Sequence, residues 1–181
     1  LGGNEEGGPA KEYQSVFENA IKAGLHVVAH AGETVDSWSM KDTIHYLHAE
    51  RIGHGITAAY DEEFMKELAE LRLPLEISPT SNTFIGKYVK NIKDHPIKKL
   101  YDANVNVTLN TDDPTFFKVS LIDEYWNIYH NLHFSMNDIK QIILNGFNAS
   151  FMSVADKQKC CNEVEKKWSE WFQDHPDSKS E

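Results

Sequence analysis

Three short stretches carry side chains able to do chemistry: "HAGET" with His30 and Glu33, "RIGHG" with His54, and "NTDDP" with Asp112 and Asp113. Each follows an apolar, strand-like run. Imidazole and carboxylate together are donors suited to Zn²⁺ or a similar divalent ion. Taken alone, "NTDDP" is a good solvated turn, because Asn, Asp and Pro all favour turns. Two histidines, a glutamate and an aspartate pair at the ends of successive strands are harder to explain as turns, since titratable groups that cluster mark function. Covalent catalysis has little support. No serine sits in a nucleophile elbow, and the adjacent Cys160 and Cys161 lie on a polar helical stretch. "LGGNEEGG" is glycine-rich but lacks the lysine of a phosphate loop. Metal-assisted hydrolysis remains, with fewer visible ligands than a closed zinc site takes.

The elements that position these residues alternate. "PAKEYQSVFENAIKAG" reads as a helix opened by Pro9 and stopped by Gly24, with Val16, Ala20 and Ala23 at helical spacing. "LHVVAHA" reads as a buried strand. "DSWSMKDTIHYLHAE" returns to helix through Met40, Ile44 and Leu47. "RIGHG" is strand-like, and "DEEFMKELAEL" is helix through Phe64, Leu68 and Leu71. "LPLEIS" and "VNVTLN" are further strands, with "HPIKKLYDA" a helix between them. From there on the chain reads as helical. "SMND" is a capping box opening one helix, and Val164, Trp168 and Trp171 stripe the last. Strands recur at intervals of roughly 20–30 residues, as parallel crossovers require. Periodicity does not separate an open doubly wound sheet from a barrel. In both, functional groups sit at the C-terminal ends of the strands.

The 181 residues suit one domain or part of a larger one, read here as residues 1–172 with a frayed tail at 173–181. Eighteen Lys plus Arg stand against 28 Asp plus Glu, a net charge of −10. That balance argues against nucleic acid or an anionic membrane as partner. No apolar run approaches the ~20 residues needed to cross a bilayer. Two vicinal cysteines form no disulfide framework, which fits a reducing cytoplasm. The i,i+3 pairs His45/His48 and His130/His133 lack a third ligand and read as ordinary histidines.

At these motifs the sequence resembles the adenosine deaminase family, zinc aminohydrolases with a (β/α)₈ barrel. "LGGNE", "HAGET", "RIGHG", "SPTSN" and "LNTDDP" follow the family's order from Leu1 to about Phe151. The resemblance implies an α/β fold, the C-terminal half of a TIM-type barrel. It implies hydrolytic deamination of a 6-aminopurine nucleoside or base, adenosine first, with water as co-substrate and Zn²⁺ as cofactor. By the same resemblance His30 and Asp112 are zinc ligands, and Glu33 gives a proton to purine N1. His54 orients the attacking hydroxide and stabilises its charge, Asp113 meets the N7 side, and the Gly3 N–H meets N3. The family's H-x-H ligand pair has no counterpart here. The chain is therefore expected to need a missing N-terminal half. The alternative is a non-catalytic fragment that serves only as a binding or assembly partner.

Overall fold

Four short strands form one all-parallel sheet: β1 (Val28–Ala31), β2 (Arg51–His54), β3 (Leu75–Ile77) and β4 (Val107–Leu109). The computed structural model describes residues 1–175. Spatial order follows chain order, β1-β2-β3-β4. A doubly wound sheet reverses its order at a switch point. Here every right-handed crossover advances the same way and puts its helices on the same face. The sheet is therefore barrel-like, a choice that periodicity alone left open.

The two faces differ as that topology requires. Ala29, Ala31, Ile52, Leu75, Ile77 and Val107 are sealed from solvent. Most of them pack with Met40, Phe64, Leu68, Ile97, Leu100, Ile128 and Ile142 from the helical layer. The opposite face is lined differently. Register aligns His30 with Gly53, Gly53 with Glu76, and Glu76 with Thr108, one layer across the sheet. His30 in that layer is exposed. The outer edge of β1 is met by Leu1, whose N–H and C=O pair with Val28 O (3.0 Å) and His30 N (2.8 Å).

The helices are α1 (Gln14–Lys22), α2 (Trp38–Asp42), α3 (Glu62–Leu71), α4 (Pro79–Ile85), α5 (Ile97–Asp102), α6 (Pro114–Phe117), α7 (Leu121–Leu132), α8 (Met136–Ala149) and α9 (Val154–Asp174). The capping box at Ser135–Asp138 opens α8 as its sequence implies. Several expectations shift. Pro9 starts a 3₁₀ turn (Ala10–Tyr13), so the α1 stripe is out of phase. Val16 is exposed, and Phe17 packs inward instead. After Asp42 the second helix loosens into a π turn (Thr43–Leu47) and stops at left-handed His48. The geometry of a regular i,i+3 histidine pair is therefore lost at His45 and His48. Leu71 ends α3 exposed, beside left-handed Arg72. On α9 the partly buried stripe runs from Lys157 through Cys160, Cys161, Val164 and Trp168 to Phe172, while Trp171 faces out. Gln173 and Asp174, placed in the tail by sequence, continue α9. The rest of that tail beyond His175 lies outside the described residues. No helix among the described residues is long and apolar enough to cross a membrane.

Candidate active site

His30 closes the exposed side of β1, and His54 ends β2 beside it. Their rings meet edge to face at 4.7 Å. Glycine makes this possible. A Cβ at Gly53 would stand 2.6 Å from His30 Cδ2, so only a bare backbone lets the imidazole lie across β2. Gly32, at φ +68, turns the chain out of β1; a Cβ there would collide with Met40 and with Thr57 Oγ1 at 2.8 Å. The turn delivers Glu33 to the same place. Ligand atoms of His30, Glu33 and His54 all lie within 4.8 Å of one another.

The Glu33 turn is held by a residue that sequence reasoning overlooked. Glu5 accepts from the backbone N–H groups of Gly32, Glu33 (3.2 Å) and Thr34 (2.8 Å), and from the hydroxyls of Thr34 (3.1 Å) and Ser39. One carboxylate thus clasps five donors of the turn. Its only sequence signal is its place in "LGGNE", where a polar loop residue looks like surface.

Glu33 and His54 have opposite electrostatic fates. Burial, then the charges of Asp112 and Glu5, push the Glu33 carboxyl up to about 7. Burial, then His30, pushes His54 down to about 4. Near pH 7 His54 is neutral, and Glu33 is poised at its midpoint, about half protonated. Glu33 Oε1 lies 3.6 Å from His54 Nδ1, and with the ring uncharged this is no ion pair. An acid and an imidazole whose environments drive them apart in this way form an acid–base pair.

Asp112 lies beyond β4, which ends three residues earlier at Leu109. The alternation of a strand therefore does not set the directions of Asp112 and Asp113. A left-handed backbone at Asp112 (φ 56) does. Asp112 accepts from Ser81 Oγ at 2.7 Å. It stands outside the tight group of three, although its charge acts on both Glu33 and His54. Asp113 opens α6, where its side chain makes no capping hydrogen bond. The floor is completed by two adjoining pockets that share His30. One, of about 170 Å³, is lined by Gly3, Glu5, Glu33, Trp38 and Ser39; the other, of about 350 Å³, by His54, Glu76, Asn110 and Asp112. Gly3 and Glu33 thus fall on one side of His30, and Asp112 on the other. His30, Glu33, His54 and Asp112 offer imidazole nitrogen and carboxyl oxygen, a donor set that fits a borderline divalent ion such as Zn²⁺.

A sequentially ordered parallel sheet with its titratable groups at the C-terminal strand ends is the layout of a (β/α)₈-barrel enzyme. The family model for adenosine deaminase matches residues 1–167. The chain belongs to the adenosine deaminase family, and its fold is α/β, the C-terminal half of a TIM-type barrel. It is 44% identical over 151 residues to an adenosine deaminase of Clostridium acetobutylicum, covering 83% of this chain and 45% of that protein. To an aminodeoxyfutalosine deaminase of Streptomyces coelicolor it is 38% identical over 172 residues, covering 95% and 44%. Among solved structures, adenine deaminase from Arthrobacter aurescens superposes with a TM-score of 0.89 at 30% identity, covering 94% of this chain and 51% of that one. The chain spans about half the length of the curated relatives it matches.

Proposed function

We propose that the protein carrying this chain is a zinc-dependent aminohydrolase of the cytoplasm. It would replace the 6-amino group of a purine nucleoside or base with oxygen, adenosine first among its substrates. The observation that carries this reading is the pair Glu33 and His54: a carboxyl kept protonated to about 7 beside an imidazole kept neutral to about 4. Attack of water at purine C6 needs a proton delivered to the adjacent ring nitrogen and charge stabilised at the new oxygen. Glu33 holds a transferable proton at neutral pH for N1, and His54 offers a neutral N–H to the incoming oxygen. Ammonia then leaves C6. His30 and Asp112 would hold the metal, which when bound acidifies water toward a pKa of ~7. Asp113, whose carboxylate makes no capping hydrogen bond, would face N7, and the Gly3 N–H would face N3. Further ligands and the opposite layer of the barrel would come from a segment outside residues 1–172. The exposed His30 at the edge of the layer His30–Gly53–Glu76–Thr108 supports that completion.

The test is ammonia release by the complete protein with adenosine, adenine and aminodeoxyfutalosine, before and after chelation. Activity on at least one of them, lost on chelation and restored by Zn²⁺, is the expected result. Full activity in metal-free protein, or none with any 6-aminopurine, would overturn the proposal.

A further inference from the structure

Behind the rim, two buried polar side chains that the reaction itself does not use lead to His54. His95, which precedes the Pro96 opening of α5, is 4% exposed; Asn82 on α4 is 2% exposed; His54 is 3% exposed. The three are joined end to end. The backbone N–H of Ile97 donates to His95 Nδ1 at 3.2 Å. His95 Nε2 stands 3.2 Å from Asn82 Oδ1, and Asn82 Nδ2 stands 3.1 Å from His54 Nδ1.

A main-chain N–H can only donate, and this fixes everything downstream. His95 must receive at Nδ1, so its single proton sits on Nε2. Burial keeps that ring neutral, pushed down to about 3. The Nε2–H can only be accepted by the amide oxygen, so Asn82 is held in one of its two flips. Its NH₂ then faces His54 Nδ1, which must accept. We propose that Asn82 and His95 are positioning residues that lock His54 in the tautomer with its proton on Nε2. The orientation originates at a peptide bond of α5, which cannot rotate to reverse it. An imidazole reached only by solvent would sample both tautomers. Here one is enforced, because the other would set an N–H of His54 against the NH₂ of Asn82 in a dry interior, and unsatisfied buried donors are costly. The role of His54 in deamination rests on the proposed function; the tautomer does not.

The experiment uses the complete, zinc-loaded protein with histidine labelled by ¹⁵N at both ring positions. Long-range ¹H–¹⁵N correlation distinguishes protonated from bare ring nitrogens, and the signal lost in His54→Asn assigns His54. We expect His54 with a bare Nδ1 and a protonated Nε2. In Asn82→Asp the carboxylate can only accept, so the His54 proton should move to Nδ1. With it kcat should fall by on the order of 10²–10⁴, as a misoriented acid–base group does, while zinc content stays normal and KM stays within a few-fold. His95→Gln can still donate to the Asn82 oxygen and should retain both the tautomer and most of kcat; His95→Leu should retain neither. A His54 proton found on Nδ1 in the wild type would overturn the proposal. So would an unchanged tautomer in Asn82→Asp, or equal losses in both His95 variants. Should the protein deaminate nothing, the tautomer still answers for the relay and the ammonia assay for the function.

Discussion

Glu5→Gln is the substitution that most directly tests how the Glu33 turn is held. The side chain keeps its size but exchanges one acceptor oxygen for an NH₂. One Glu5 oxygen serves the Gly32 N–H and the Ser39 hydroxyl; the other serves the N–H groups of Glu33 and Thr34 and the Thr34 hydroxyl. Whichever way the amide turns, at least two of the five bonds to the carboxylate are lost, although the Gly32 N–H keeps Ser39 Oγ as an acceptor at 2.9 Å. Hydrogen bonds to a charged group contribute roughly 1.5–3 kcal/mol each. Glu5 is only half-buried, so the lower figure applies, giving a loss of about 3 kcal/mol for two bonds. At ~2–4 °C per kcal/mol for a domain of this size, the melting temperature should drop by about 6–12 °C. The loss is local, so hydrogen exchange at the amides of Gly32, Glu33 and Thr34 should accelerate more than at β2 or β3. Loss of the Glu5 charge should also lower the Glu33 pKa, because that charge helps to raise it. A melting temperature within 2 °C of wild type, with unchanged protection at these three amides, would refute the clasp.

Glu33→Gln keeps the shape and removes the proton, so kcat should fall by 10²–10⁴ in the ammonia assay while bound zinc, measured by metal analysis, stays unchanged. Asp112→Ala should lose both metal and activity, whereas Asp113→Ala should keep the metal and weaken discrimination at N7, read by comparing a substrate with carbon in place of N7. Buried His54 and His95 bind protons in the unfolded chain at about 6.5 but not in the fold until about 4 and about 3, so stability present above pH 6.5 is lost as pH falls. At pH 5 the loss is about 2 kcal/mol each. Glu33, raised to about 7, works the other way and returns about 2 kcal/mol over the same interval. The unfolding free energy of metal-free protein from urea titration should therefore fall by about 2 kcal/mol from pH 7 to pH 5 in wild type and about 4 kcal/mol in Glu33→Gln. Residues 1–181 expressed alone should be inactive and self-associated by light scattering, and supplying the rest of the barrel in trans should restore both.

The rule that parallel strands carry function at their C-terminal ends was enough to expect His30, Glu33, His54 and Asp112 around one place, although Asp113 lines neither of the two pockets there. Each follows an apolar run that must be a buried strand. Strand order was not legible, because periodicity reports which faces are apolar and not which strands are neighbours. It took the pairings Ile52 with Leu75 and Leu75 with Val107 to decide for a barrel. Glu5, Ser81, Asn82 and His95 were missed for a common reason. Their partners lie 27–34, 31, 28 and 13 residues away, and no periodicity encodes a polar contact made across elements. His95 in "DHPIKK" looks like a surface residue by composition, yet it is buried because Pro96 begins α5 against the core. The α1 stripe failed on a smaller point: a 3₁₀ start turns each residue further than an α-helix does, so the face shifts from Val16 to Phe17.

His54 and Asp112 share one more property: both hold left-handed backbones, at φ 66 and φ 56. Such a backbone crowds the Cβ of any residue but glycine, at roughly 1–2 kcal/mol. The main chain alone would favour glycine at both positions, and the side chains present are tolerated against that preference. The same preference acts at His48, Arg72, Asn104, Lys118 and His133, which share this backbone, but only at residues 54 and 112 does it oppose a side chain of the site. Packing and the bonds to Asn82 and Ser81 work against that preference, so the two residues are held in place by their side chains and not by their main chain.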